Sequence, residues 1–585
     1  MNNSDTLDGG TTGIFARGPT DIDIINSGFL TADSLLAIQT RGASTEILNA
    51  GTILGFVDLT DEGDTFINQT GGTFEARGTS SFNIGTDLFV NEDGATVHTA
   101  GAASLSENTA FEGLERFENR GLISLVDGAA GDEFRIANTP GGTNLEYIAS
   151  GNSTVAVDAF LGPPGSVSDL FIVEGNVGGR TLVTVNNTNP GPGTFNPAGI
   201  PVVIVTGTTD SNAFYLSAPI DTGFFNYDLF FEPTGTFELR GFEARSFLSP
   251  GAFVLPQLVT ATQDIWHAGA ETWFDRTADL RRLLSGSRPV QVPQAKNATG
   301  QASAFLNPAL WARASANWLD RSDTETINAY GRDYRYDLDR NLQVLDFEAG
   351  IDFGERSLIA DGDALIFGVL GGYVDANLDY QMVRNFDFAG GQIGGYATYL
   401  KNGLFIDTLL NVHLLELGGD DQVPGFPGSL DVNNIGLRTD AGYRFGDFKN
   451  GAFIEPLATV SVNWVDIEGF SLDGNTVSFD DHANVRGRLG VRVGTSSEVQ
   501  TGTTMEPFII ASAWGTLTDD NRAMLTSSGT DFLLVDDLEG VWGEVSGGVN
   551  VFNPGAQSSL FAKLDVAFGE DLAGFGGKAG LRFGW

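Results

Sequence analysis

Val485-Arg-Gly-Arg-Leu-Gly-Val-Arg-Val493 is the stretch on which the fold of this chain turns. In an extended strand, successive side chains leave on opposite faces. One face then carries Val485, Gly487, Leu489, Val491 and Val493, and the other carries Arg486, Arg488 and Arg492. A soluble sandwich also alternates, but its polar face meets water and rarely bears three arginines on one short strand. Apolar outside and ionic inside is the requirement of a transmembrane barrel, in which every backbone group is paired around the ring and the lumen is wet. The pattern recurs: Ile435, Leu437, Thr439, Ala441, Tyr443 and Phe445 oppose Arg438, Asp440 and Arg444. Leu560, Ala562, Leu564, Val566 and Phe568 oppose Lys563 and Asp565.

Working outward, twelve segments of this kind fill the C-terminal half: 309–319, 342–353, 364–376, 389–400, 403–416, 432–445, 451–466, 484–494, 505–517, 541–552, 558–569 and 575–585. Their connectors alternate long and short, from 320–341 through Leu400-Lys-Asn-Gly403 to Glu570–Gly574. Short turns at one end and long loops at the other are the habit of membrane barrels, and an even strand number returns the chain to its starting side.

Upstream, 256–284 is the one long helix-like stretch. Pro256 suits a first turn, Arg281 and Arg282 suit the negative C-terminal end, and Gly286 stops it. The rod is about 40 Å long, yet its polar residues lie all round it, so it is neither a membrane span nor a good surface helix. A Pro/Gln/Gly/Ala-rich linker, 289–305, follows.

The first half repeats. Asn26, Asn49, Asn68, Asn91 and Asn119 each precede a Gly and then apolar residues at alternate positions, at intervals of 23, 19, 23 and 28. Such a period marks a solenoid. Short Val/Ile/Leu/Phe strands broken by Gly, Asn and Asp, without helical periodicity, predict a right-handed parallel β-helix. Less regular strands continue to Val205, and an aromatic hairpin over 221–240 is placed to cap the open end. The fold class is therefore all-β, with a β-helix, a helix and a twelve-stranded antiparallel barrel.

Composition narrows function. The 585 residues carry 32 Lys+Arg against 75 Asp+Glu, a net charge of −43, which repels phosphate backbones and excludes nucleic acid as a partner. With no Cys there is no disulfide framework, thiolate zinc site or Cys nucleophile. Asp58-Leu-Thr-Asp61-Glu62-Gly-Asp64 fits neither an EF-hand nor a Gly/Asp calcium repeat and reads as a solvated corner. His98, the sole imidazole of the first half, lacks a nucleophile elbow and reads as a corner histidine. Acid pairs such as Asp21/Asp23 and Asp132/Glu133 could serve a glycosidase, but chance supplies them among so many acids. No catalytic residue, cofactor or metal is expected. No run of apolar residues is long enough for a membrane helix, and Met1-Asn2-Asn3-Ser4-Asp5 shows no signal peptide, so an exported chain would begin further upstream.

The C-terminus, Lys578-Ala-Gly580-Leu-Arg-Phe583-Gly-Trp585, resembles the signal read by the bacterial barrel-assembly machinery, with Phe583 and Trp585 facing outward. Over essentially its full length the chain resembles the pertactin-like, type V autotransporters of Gram-negative bacteria. Ser166-Val-Ser-Asp-Leu-Phe-Ile-Val-Glu-Gly, the strand Ile200-Pro-Val-Val-Ile-Val205, and the strand-opening Glu455-Pro456 and Glu506-Pro507 resemble family pieces. The resemblance implies a passenger (1–194), an autochaperone-like cap (195–250), a lumenal plug with its linker (251–308) and the barrel (309–585). It also implies outer-membrane lipid, the assembly machinery, periplasmic chaperones and an extracellular ligand as partners. Arg438, Asp440, Arg444, Arg486, Arg488 and Arg492 are expected to line the lumen and meet Asp264, Glu271, Asp275 and Arg276 of the plug. Some relatives release the passenger by cyclisation of a helix Asn; none lies between Asn226 and Asn297, so the passenger is expected to stay attached. A self-displaying, adhesive or structural passenger is the leading expectation. A polysaccharide-active β-helix enzyme on the same barrel, or a porin-like channel, are the alternatives.

Overall fold

Asn26, Asn49, Asn68, Asn91 and Asn119, the markers of the repeat, stand directly above one another. The strands that end in them, Ile22–Asn26, Thr45–Asn49, Thr65–Asn68, Leu88–Asn91 and Arg116–Asn119, pair in parallel and in register. The structure is a computed structural model that describes the chain except residues 102–105, 140, 141, 143, 144, 242–246, 272–279, 281–304, 330, 331, 382, 420–425, 448, 449, 482, 554–556 and 585. It divides into two units, Met1–Ser249 and Pro250–Trp585.

The first unit is a parallel β-helix with three strands per turn. Along one corner each Asn Nδ2 donates to the Oδ1 of the next, at 2.7, 2.8, 2.8, 3.0 and 2.9 Å from Asn3 to Asn119. The second amide hydrogen goes to a strand carbonyl, as from Asn49 to Thr73 O at 3.1 Å and from Asn68 to Thr96 O at 2.9 Å. Buried amides are tolerated only when satisfied in this way. Beside this column Phe66, Phe89, Phe117 and Tyr147 stack, with successive centroids 4.9, 4.8 and 5.7 Å apart. The last turn ends differently. Asn196–Val205 pairs antiparallel with Thr236–Gly241, which pairs with Asn226–Glu232, so a hairpin covers the final edge. Tyr227 ties it down: its hydroxyl lies 2.6 Å from Thr194 O and 3.2 Å from Gly162 O, and burial pushes the phenol up to about 12.

The second unit contains all twelve expected strands. They are β1 (Phe305–Arg321), β2 (Arg340–Arg356), β3 (Asp363–Tyr380), β4 (Phe386–Lys401), β5 (Leu404–Gly419) and β6 (Ser429–Tyr443). Then follow β7 (Gly451–Ile467), β8 (Ala483–Gln500), β9 (Thr503–Thr516), β10 (Val541–Asn553), β11 (Ser558–Phe568) and β12 (Leu572–Gly584). Neighbours are antiparallel, and β1 pairs with both β2 and β12, which closes the ring. Leu345, Phe347, Val369, Ile393, Leu414, Val460, Leu489, Ile509, Leu564 and Phe583 are exposed on the outside, an apolar belt suited to lipid.

Inside the wall, one aromatic ring covers one glycine at every second interface. The register pairs are Trp311/Gly350, Gly368/Tyr396, Phe405/Gly442, Phe453/Gly494, Phe508/Gly548 and Phe561/Gly580. A Cβ on any of these glycines would fall 2.3–2.6 Å from the ring or its hydroxyl, so the bare backbone is what lets the aromatic lie flat. At the long-loop end, Phe470–Leu472, Asn475–Phe479, Asn521–Ser527 and Thr530–Asp536 form a four-stranded sheet of their own.

Candidate functional site: the filled lumen

A helix, Leu255–Ala270, lies inside the ring, with every residue but Ala268 buried. Pro256 opens its first turn, and the rest of the expected helix, including Asp275 and Arg276, falls outside the described residues. Polar groups on several of its sides are met by the wall, which explains a helix with no clean apolar stripe. Near the long-loop end Gln257 Nε2 donates to Asp323 at 2.7 Å and Gln263 Nε2 to Asn521 Oδ1 at 2.8 Å. Thr260 donates to Asp536, itself paired with Arg340 at 2.9 Å.

Deeper in, Asp264 is held by Arg486 at 2.7 Å and Arg321 at 3.0 Å. Trp266 lies against Gly436, where a Cβ would sit 2.0 Å from the indole. Asn434 Nδ2 donates to Thr262 O at 2.9 Å, and Glu271 pairs with Lys578 at 2.8 Å.

Of the remaining lumenal arginines, Arg438, Arg444, Arg488 and Arg492 pair with the wall, whereas Arg313 also donates to Gly269 O of the helix at 3.4 Å. Arg438 and Arg488 share Asp440 at 2.7 and 3.0 Å. Arg444 reaches Glu455 at 3.3 Å and Glu506 at 2.9 Å, and Arg492 reaches the same two acids at 3.0 Å each. Arg313 pairs with Glu348. The reason is register: Glu455 and Arg492 are direct cross-strand neighbours, as are Thr459 and Arg488, so carboxylates on adjoining strands lie nearer than the plug. Arg321, Lys578, Glu455 and Glu506 are partners that alternation within single strands did not single out. Matching opposite charges across successive hairpins would have found the last two.

The C-terminal motif divides between the two faces of β12. Lys578 points inward to Glu271, Gly580 accommodates Phe561, and Phe583 is 54% exposed on the outside. Trp585 lies outside the described residues.

Residues 310–565 match the autotransporter β-domain family, and residues 134–229 match the autochaperone domain type 1 family. The chain belongs to the type V autotransporters. It is similar to the pertactin autotransporters of Bordetella parapertussis and Bordetella bronchiseptica, 27% identical to each over 329 residues. That match takes in 50% of this chain and 34% of each relative, so the chain spans about a third of their length. Among solved structures, the β domain of the Bordetella autotransporter BrkA is 22% identical, with a TM-score of 0.36, covering 48% of this chain and all of that one. The translocator domain of NalP from Neisseria meningitidis is 10% identical, with a TM-score of 0.37, covering 57% of this chain and all of that one.

The autotransporter barrel sits in the outer membrane of a Gram-negative cell, with its pertactin-like passenger at the surface. Within that passenger two sequence readings need correcting. The acidic corner is not solvated throughout: Asp61 and Glu62 are exposed, but Asp64 is buried and accepts the amides of Thr45 and Thr60 at 2.6 and 2.8 Å. Burial alone would raise the neighbouring Asp58 carboxyl, but hydrogen bonds from Arg41 and Gln39 outweigh it and hold it low. His98 lies on the strand Thr96–His98, not at a corner, with Nε2 3.4 Å from Val126 O.

Proposed function

We propose that this autotransporter carries its own β-helix outward through the barrel and keeps it attached there as an adhesive or structural surface without enzymatic activity. The working division is passenger 1–194, cap 195–250, plug and linker 251–308, and barrel 309–585. The observation that carries the reading is the helix Leu255–Ala270 threaded through a closed ring and joined to it by Asp264–Arg486 and Glu271–Lys578. Stepwise folding of the cap and turns outside disfavours return, which supplies direction without ATP. The C-terminal motif supports recognition by the barrel-assembly machinery, and an exported unfolded chain calls for periplasmic chaperones.

Planar-bilayer conductance tests the plug: the full chain should stay largely closed, and deletion of residues 256–284 should open it. Equal conductance would favour a porin-like channel. Protease shaving of whole cells should digest the passenger and spare the barrel. Cleavage of polysaccharides by intact cells would replace the adhesive reading with the enzymatic one, and a passenger band free of the barrel in cells lacking surface proteases would refute retention.

A further inference from the structure

Asp87 and Asp169 are 1% and 0% exposed, at two corners of the β-helix. Asp87 belongs to a column. The Asp64 amide donates to Asp87 Oδ1 at 2.6 Å, and the Asp87 amide donates to Glu115 Oε2 at 2.7 Å. The other oxygen of Asp87 is buried without a hydrogen-bond partner. At the second corner Asp169 accepts the amides of Gly131, Asp132 and Asp158 at 2.9, 3.0 and 2.6 Å. Asp132 accepts the Glu107 amide at 2.7 Å, and its second oxygen is again buried and unpartnered.

The charged groups facing these acids are themselves acids. They are Asp64 and Glu115 around Asp87, Asp132 beside Asp169, and Asp127, Glu107 and Asp158 around Asp132. Among the described residues none of the six arginines that form ion pairs in this unit pairs with any of them, and no lysine precedes Lys296. Carboxylates stacked on turns about 4.8 Å apart cannot all ionise without a counter-charge. A metal ion is a poor candidate for it. Several of the carboxylate oxygens already face backbone N–H groups, and among the described residues no group of three or more His, Cys, Asp or Glu is arranged to hold a metal.

We propose that these two corners are proton-binding sites: the passenger folds around neutral carboxyls at Asp87 and at the Asp132–Asp169 pair, and mild acid tightens it. Burial pushes Asp87 up to about 8 and Asp169 up to about 7, and raises Asp132 by the same cause. An unfolded Asp titrates near 4, so the stabilisation is fully present below about pH 4 and is lost as pH rises through 7 to 8. Asp58, held low by Arg41 and Gln39, runs the other way and loses its contribution only in stronger acid.

The test is hydrogen exchange of the full chain in detergent micelles, comparing protection factors, corrected for intrinsic rates, at about pH 5 and about pH 7.5. Peptides from 45–124 and 127–205 should be protected at least about tenfold more at the lower pH. Asp87→Asn combined with Asp169→Asn should cut that ratio below about threefold. Equal or weaker protection of the unaltered chain at pH 5 overturns the proposal whatever the variant does. So does millimolar calcium or magnesium that restores the acid value at pH 7.5, because a cation would then be the ligand.

Discussion

Asn68→Ala cuts the asparagine column in its middle. The residue accepts from Asn49 Nδ2 at 2.8 Å and donates to Asn91 Oδ1 at 3.0 Å and to Thr96 O at 2.9 Å, at 0% exposure. Removal leaves Asn91 Oδ1 buried without that donor, a cost of about 1–3 kcal/mol. Asn49 keeps its bond to Thr73 O, and the Thr96 carbonyl remains on a paired strand, so each of these losses is nearer to about 0.5–1.5 kcal/mol. A total of about 3 kcal/mol corresponds to roughly a hundredfold in the opening equilibrium. Because a solenoid is stabilised between nearest neighbours, peptides within 45–119 should lose protection first and the hairpin at 226–241 least. Hydrogen exchange of the full chain reads both. Asn152→Ala, which removes only an exposed bond to Asp93, is the control and should change little. A loss below about fivefold, or an equal loss along the whole β-helix, would refute the view that the column is a chain of obligatory buried bonds.

Asp264→Ala leaves Arg321 and Arg486 side by side with no shared counter-ion. It should cost about 3–5 kcal/mol of plug docking and raise single-channel conductance, and an unchanged, closed pore would show that the pair is dispensable. Gly580→Ala should push Phe561 off the wall and lower the folded, heat-modifiable fraction of the barrel; adding Phe561→Ala should restore it, and failure to restore would place the defect elsewhere. Phe583→Ala removes an outward aromatic from the last strand and should slow membrane assembly without destabilising barrels already formed, as pulse-labelling would show.

The barrel was legible because lipid enforces a strict two-residue period: a slip of one residue in Val485–Val493 would turn three arginines into hydrocarbon. The β-helix was legible through Asn26 to Asn119, since one residue type recurs at the same position of successive turns. Asn3 escaped notice because its strand is only two residues long, Asn2–Asn3. Asp64 read as part of a solvated corner, and Asp87 and Asp169 carried no signal of their own, because acidic turn residues are ordinarily exposed and only the stacking of successive turns buries them. The ion pairs of the lumen were half legible. The arginines stand out on one strand, whereas Glu455 and Glu506 become their partners only when register joins segments distant in sequence. Arg321 sits at the very end of β1, where alternation had already been left behind.

The seam between β1 and β12 sets a clock. Arg321 pairs with Leu572, so the ring cannot shut until a segment made about 250 residues later is delivered, which at 5–20 residues per second means a delay of about 12–50 s. The β-helix is synthesised before either edge, and its turns contact their nearest neighbours, so its folding does not have to wait for the seam. A passenger that folded in that interval would be finished before its doorway existed; holding it open until then is as much a part of its biology as the doorway.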